Sequence, residues 1–148
     1  MVSRWAGSNE LNTDRIDRLA GWVDDRRRPL INLRVWPDDI VCVLIDTGFN
    51  GYLLWECSTS TADFPGELSP LYESVEVAGA TILVNLASIS IQWFEREGVF
   101  TRVEALVALS GKPRATGNPP ALLGTALLSG MTLVIDFLDA SLRIERSR

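Results

Sequence analysis

From Leu30 to Val35 apolar and polar positions alternate, with Ile31, Leu33 and Val35 on one side. That period of two predicts a half-buried strand. Pro37-Asp38-Asp39 supplies a turn, and Ile40 to Ile45 is an unbroken apolar run of strand length. The simplest pairing of the two is an antiparallel hairpin. Upstream the period differs. Ile16, Leu19, Ala20 and Val23 fall at helical spacing, Thr13 can cap the start, and Asp14 and Asp17 lie near the positive end of the dipole. The spacing predicts a short amphipathic helix, weakened by Gly21 and stopped by Pro29, with residues 1–12 poorly ordered ahead of it.

Beyond Trp55 a polar connection, Ser58 to Gly66, leads into closely spaced strands. Ser74 to Val77 and Ala80 to Leu86 flank Gly79, with Ile82, Val84 and Leu86 on one face. Ile89, Ile91 and Trp93 continue on the opposite parity, which predicts a bend or bulge near Ala87-Ser88. Glu95 to Gly98 turns the chain into Val99 to Leu109, where Val103, Ala105, Val107 and Leu109 alternate. Ser110 to Pro120 is a loop by composition. After it come a small-residue apolar segment and strands at Thr132 to Phe137 and Ser141 to Ile144. Many short strands and few helices predict an all-β sandwich or barrel. No internal repeat is visible, and 148 residues suit a single core.

Composition narrows the chemistry. A net charge of −5 argues against a nucleic-acid surface. The cluster Arg26-Arg27-Arg28 directly follows Asp24-Asp25 and reads as the solvated end of the helix. The chain has no histidine, which removes Ser-His-Asp and Cys-His catalysis and the commonest zinc ligand sets. Its 2 cysteines, Cys42 and Cys57, without a secretory signal, predict reduced thiols and a cytoplasmic setting. No membrane span is expected. The charge-free stretch Val77 to Phe94 contains Asn85 and Gln92, and Ala121 to Ile135 is too short to cross a bilayer.

One acid stands out. Asp46 ends the apolar run Ile40 to Ile45 and is followed by Thr47 and Gly48. A carboxylate in such a place needs pairing, hydrogen bonding or protonation unless the strand end has reached water. Gly48 allows a sharp turn, the Thr47 hydroxyl can lock it, and Asp46 is thereby presented from a rigid strand end. A plain strand-end turn would use the same three residue types.

The stretch Val43-Leu44-Ile45-Asp46-Thr47-Gly48-Phe49-Asn50-Gly51-Tyr52-Leu53-Leu54 resembles the active-site strand and turn of retropepsin-like aspartic peptidases. Two further stretches extend the resemblance in the same order. Glu76-Val77-Ala78-Gly79-Ala80-Thr81-Ile82 looks like the flap hairpin, and Leu122-Leu123-Gly124-Thr125-Ala126-Leu127-Leu128 looks like the segment packed beside the catalytic turn. Phe49 and the Leu-Leu-Gly form point to the small microbial single-domain branch. The likeness covers roughly Pro29 to Ile144, leaving residues 1–28 as an N-terminal extension and 29–148 as the peptidase domain.

The resemblance implies a closed β-barrel with one short helix after Leu-Leu-Gly, and an aspartic endopeptidase needing neither metal nor cofactor. The family's mechanism uses two aspartates, and this chain has one such motif, so a homodimer is implied with Asp46 from each copy. Thr47 would brace the two turns, and Gly48 would accept hydrogen bonds from an extended peptide or protein substrate. Ala78, Gly79 and Ala80 would close over that substrate. Leu123 and Gly124 would support the turn. Asp136 and Asp139 have no Thr-Gly after them, so symmetry supplies the second carboxylate. Retroviral members carry an acid two residues after the Gly and an Arg after the downstream Gly. Here Asn50 and Thr125 stand there, and a flap with one Gly is stiffer. Two other readings stay open: a non-catalytic dimerisation or peptide-binding module on the same fold, and an ordinary β-barrel interaction or regulatory protein.

Overall fold

The computed structural model describes residues 16–58, 60–77, 79–115 and 117–146. Within them the protein is all-β. The strands are β1 (Arg18–Val23), β2 (Pro29–Val35), β3 (Asp39–Ile45), β4 (Leu53–Cys57), β5 (Glu67–Val77), β6 (Ala80–Ile91), β7 (Thr101–Leu109), β8 (Ala121–Leu123), β9 (Met131–Asp136) and β10 (Ser141–Arg146). A 3-10 turn covers Thr61–Asp63, and one short helix, α1, covers Thr125–Leu128. Among the described residues, no helix is long and apolar enough to cross a membrane.

The strands form one sheet in the order β5-β6-β7-β4-β8-β3-β2-β1-β10-β9. The expected β2–β3 hairpin is present, in register from Leu30 against Leu44 to Val35 against Asp39. At its far end β6 returns to β2, pairing Val35 with Ile91. Two flanking bonds extend the contact: Trp36 N–H donates to the Ser90 carbonyl at 3.0 Å, and Gln92 N–H to the Arg34 carbonyl at 2.9 Å. The main core gathers Ile31, Leu33, Val43, Leu53, Trp55 and Ile91, with Trp55 meeting Phe64 edge-on at 5.5 Å. A second, smaller cluster contains Phe49, Leu54 and Val84, packed with Val75, Ile82, Leu106 and Leu122.

The helix expected before Pro29 is instead a strand, and the residues proposed to begin it, 13–15, lie outside the described residues, as do residues 1–12. Leu19, Gly21 and Val23 also obey a period of two, and strand β1 uses that period. It lies between β2 and β10, running from Arg18 against Glu145 to Trp22 against Ser141. Gly21 explains the choice. A Cβ there would collide with the Leu30 carbonyl oxygen and lie 2.9 Å from a Leu142 methyl carbon, so only glycine lets β1 and β2 approach this closely. Propensity yields to these long-range pairings.

The basic triplet is therefore a hairpin turn, not a helix end. Asp24 Oδ1 accepts from the N–H groups of Arg26 at 3.0 Å and Arg28 at 2.9 Å, and Arg27 takes φ +62°. The Arg28 guanidinium pairs with Asp24 and also donates to Asn118 Oδ1 at 2.9 Å and the Gly117 carbonyl at 3.0 Å. It thereby ties this turn to the loop before β8.

The irregularity expected at Ala87-Ser88 falls on the opposite strand. β6 runs unbroken, while the register of β5 shifts between Leu68, opposite Ala87, and Tyr72, opposite Asn85. Pro70 has no N–H to give a ladder there. The Asn85 amide fills the gap, donating to the Ser69 carbonyl at 2.9 Å. The parity change along β6 has another cause. Ile82 and Val84 face the smaller cluster, whereas Ile89 and Ile91 face the main core, so one continuous strand buries opposite faces at its two ends.

Candidate functional site

Strand β8 is the foundation of the site. It pairs parallel with β3, placing Ile45 opposite Leu123, and antiparallel with β4, placing Leu53 opposite Leu123 as well. The chain therefore leaves β3 at Asp46, loops through residues 46–52 and returns as β4 on the other side of β8. Leu123 is fully buried at the centre of this arrangement.

The loop is fastened at each step. Asp46 N–H donates to the Leu123 carbonyl at 2.9 Å, and Phe49 N–H donates to the Asp46 carbonyl at 3.1 Å. Gly124 N–H donates to the Tyr52 carbonyl at 2.9 Å, Thr125 N–H to that of Phe49 at 2.9 Å, and Ala126 N–H to that of Gly51 at 3.1 Å. The first N–H groups of α1 thus find their partners in the Asp46 loop, as the open end of a helix requires. The Thr125 hydroxyl adds a bond to the Phe49 carbonyl at 3.3 Å. Thr125 and Asn50 do not form the ion pair of the retroviral pattern; a neutral hydrogen bond from Thr125 supports the loop instead.

Asp46 itself is half-buried, and Thr47 and Gly48 are exposed. The Asp46 carboxylate accepts from Gly48 N–H at 2.9 Å through Oδ1, which orients the side chain. No cation among the described residues pairs with it. Phe49 is 3% exposed and anchors the loop in the smaller cluster.

The hairpin of β5 and β6 contributes Val75, Ile82 and Val84 to that same cluster, so its base is packed onto the Asp46 loop through Phe49. Gly79 turns the tip at φ +81°, the left-handed region that favours glycine, with open space around it. Ala80 is exposed, and Ala78 lies outside the described residues.

Asp136 and Asp139 are remote. Asp136 closes the β9–β10 turn by accepting from Leu138 N–H at 2.9 Å and Asp139 N–H at 3.1 Å. In sheet order its strand is separated from β3 by β2, β1 and β10.

Two pockets open on the face that carries the smaller cluster. One, of about 240 Å³, is apolar and lined by Leu54, Ile82, Ala108, Pro119, Pro120 and Leu122 among others. The other, of about 150 Å³, is bounded by Asn50, Gly51 and Tyr52 of the Asp46 loop, with Glu73 and Glu104 on its walls. Sequence reasoning did not single out these two glutamates. The alternation Val103-Ala105-Val107-Leu109 assigns Glu104 to a solvent face, and Glu104 is exposed, as is Glu73; further along that face Leu106 and Ala108 pack beneath the hairpin. A larger groove of about 930 Å³, lined by Leu68, Tyr72, Leu83 and Leu109, occupies the opposite face of β5, β6 and β7. Among the described residues, no three His, Cys, Asp or Glu side chains converge as a metal site.

No protein-family model matches the chain, and no curated protein does either.

Proposed function

We propose that this chain is an aspartic endopeptidase of retropepsin-like fold, acting as a homodimer in which the Asp46 side chains of two copies meet on a two-fold axis. The observation that carries the reading is the docking of the Asp46 loop on β8 and α1. The bonds from Asp46 N–H to Leu123, Gly124 N–H to Tyr52 and Thr125 N–H to Phe49 hold one carboxylate at a rigid strand end. The exposure of Thr47 and Gly48 leaves that end open to a second copy and to a peptide. In this reading β6, β7, β4, β8, β3 and β2 close into a barrel through the Val35–Ile91 pair, and the β5–β6 hairpin is the flap.

The chemistry needs a shared proton. In the proposed dimer the two facing Asp46 carboxyls hold one proton between them. The ionised Asp46 takes a proton from a water held between them, and the protonated Asp46 hydrogen-bonds the scissile carbonyl oxygen. Water oxygen adds to the carbonyl carbon. The C–N bond of the resulting tetrahedral species then breaks as a proton passes to the leaving nitrogen. No metal or cofactor takes part, and the cytoplasm is the compartment that suits the two unpaired thiols, Cys42 and Cys57.

A non-catalytic peptide-binding module is the second reading. One observation favours it: Gly48 N–H already occupies Asp46 Oδ1, which is how an ordinary aspartate turn is closed. Cleavage of a mixed peptide library by wild type and Asp46→Asn, with sedimentation at matched concentrations, separates the two. Peptidase activity rises with dimer fraction and vanishes in the variant. A stable dimer that binds peptides without cutting them belongs to the second reading.

A further inference from the structure

We infer that Asn85 is the positioning residue of a hinge, through which the outer half of the β5–β6 hairpin closes over the Asp46 loop; its role toward a peptide rests on the peptidase reading above. Two ladders are interrupted at this residue. The pairing of β6 with β7 runs from Ile91 against Thr101 to Asn85 against Val107 and goes no further. On its other side the pairing of β6 with β5 is broken. Leu68 stands opposite Ala87 and Tyr72 opposite Asn85, so Ser69, Pro70 and Leu71 face Leu86 alone. Beyond the break, the described residues of 73–77 and 80–84 pair only with each other, in register from Glu73 against Val84 to Val77 against Ala80. They form a two-stranded tongue that joins the body at Asn85.

The Asn85 side chain spans the break. Its Nδ2 donates to the Ser69 carbonyl at 2.9 Å and to the Leu71 carbonyl at 3.3 Å. Pro70 has no N–H to offer β6, and Leu71 N–H is turned to the Ser69 hydroxyl at 3.2 Å. One amide therefore stands in for main-chain ladder bonds across the insertion. The tongue is covered on one side only. Val84 is buried there, with Val75 and Ile82 beside it, on the cluster that holds Phe49. Tyr72 and Leu83, on the opposite side, are 62% and 65% exposed. A segment held by one junction and one covered side opens locally more readily than the body unfolds. The side chain that fixes the bend at that junction fixes how the covered side lies against Phe49 and the loop it anchors. The insertion also preserves parity. Removing Ser69 and Pro70 would put Leu71 opposite Leu86 and make the pairing one-to-one, with every later side chain on its present face.

The test reads hydrogen exchange in the full chain without peptide, comparing residues 72–84 with the β2–β3 hairpin, and peptide hydrolysis in parallel. Asn85→Asp keeps the shape of the side chain and replaces its donors with an acceptor. Exchange over 72–84 should quicken roughly tenfold, the scale of losing one or two partly exposed hydrogen bonds, while β2–β3 keeps its rate. Deletion of Ser69 and Pro70 should slow the same exchange below that of wild type, a gain that misfolding cannot mimic. In hydrolysis, Asn85→Asp should raise KM roughly tenfold with kcat within about twofold, because no group of the proposed dyad is altered. Exchange that is the same in all three proteins, or that quickens equally in β2–β3, overturns the hinge. Quickened exchange in the tongue with KM unchanged overturns the positioning role. The expected exchange changes in a wild type that cuts no peptide overturn the peptidase reading and leave the hinge standing.

Discussion

Gly124 and Gly51 touch backbone to backbone: a methyl group on Gly124 would collide with the Gly51 carbonyl oxygen and lie 2.6 Å from that of Phe49. Both obstacles are main-chain atoms of the Asp46 loop and cannot swing aside. Gly124→Ala should therefore push the loop off β8, costing about 1–3 kcal/mol as overpacking does. Thermal melting should show the loss. Activity at saturating peptide should drop more than stability, because the displaced element carries Asp46. An unchanged melting temperature would show that loop and helix are not in this contact.

Asp46→Asn and Asp46→Ala should part company. Asparagine keeps an oxygen for Gly48 N–H, so the turn survives while the shared proton is lost. Alanine removes that acceptor too and should cost about 1 kcal/mol in addition. Peptide cleavage should vanish in both variants, and denaturant unfolding should separate them. On the proposed dyad, which needs one proton between its two carboxyls, wild-type turnover should fall as the pH rises from acid into alkaline. A rate flat across that range contradicts a shared-proton dyad.

The Asp24 turn makes a pH-dependent contribution of known sign. The Arg28 N–H is the main cause holding this carboxyl below its ordinary 3.8, opposed by partial burial and aided by the Arg28 guanidinium and the Arg26 N–H. A carboxyl lowered in the folded state contributes stability that is fully present above 3.8 and is lost as the pH falls through its folded value. Wild type should melt above Asp24→Asn at neutral pH. The gap should close on acidification below 3.8 and not before.

Both thiols should resist alkylation at neutral pH. Burial raises Cys42 and Cys57 above the ordinary 9.0, and the Asp63 charge raises Cys57 further. Cys57 is also only 2% exposed. Its modification, followed by mass spectrometry, should be at least about tenfold slower than that of a free thiol and should track unfolding. Cys42, half-buried, should react first.

How much of this was legible depends on where each strand finds its partner. The β2–β3 hairpin was readable because its two runs and their turn are contiguous, and α1 follows Leu-Leu-Gly as the resemblance implies. Strand β1 was misread because its main partner is β10, while Ile16, Leu19, Ala20 and Val23 also satisfy a helical period. The period of two through Leu19, Gly21 and Val23 was there as well, but what decides for the strand is the close approach at Gly21, which no local pattern shows. The β6 parity change was visible, and the irregularity it pointed to lies in the β5–β6 pairing with its extra residues on β5, which the β6 sequence alone does not show. Asp46, Thr47, Gly48, Leu123 and Gly124 were singled out from their motifs, and main-chain hydrogen bonds join Asp46 to Leu123 and Gly124 to the Asp46 loop. Glu73 and Glu104 were not, since both are exposed and only the pairing of β5, β6 and β7 puts them on the face shared with Val84 and Leu106.

The place of β1 has a consequence for how the protein is made. It holds β10 and β9 to the rest of the sheet, yet its pairing partners Arg18 and Glu145 are 127 positions apart. While the chain is being synthesised, β1 leaves the ribosome with two residue pairs to β2 and nothing on its other side. Its open edge must stay unpaired until nearly all of the remaining sheet has emerged. During that wait its unpaired edge is open to capture by another nascent chain.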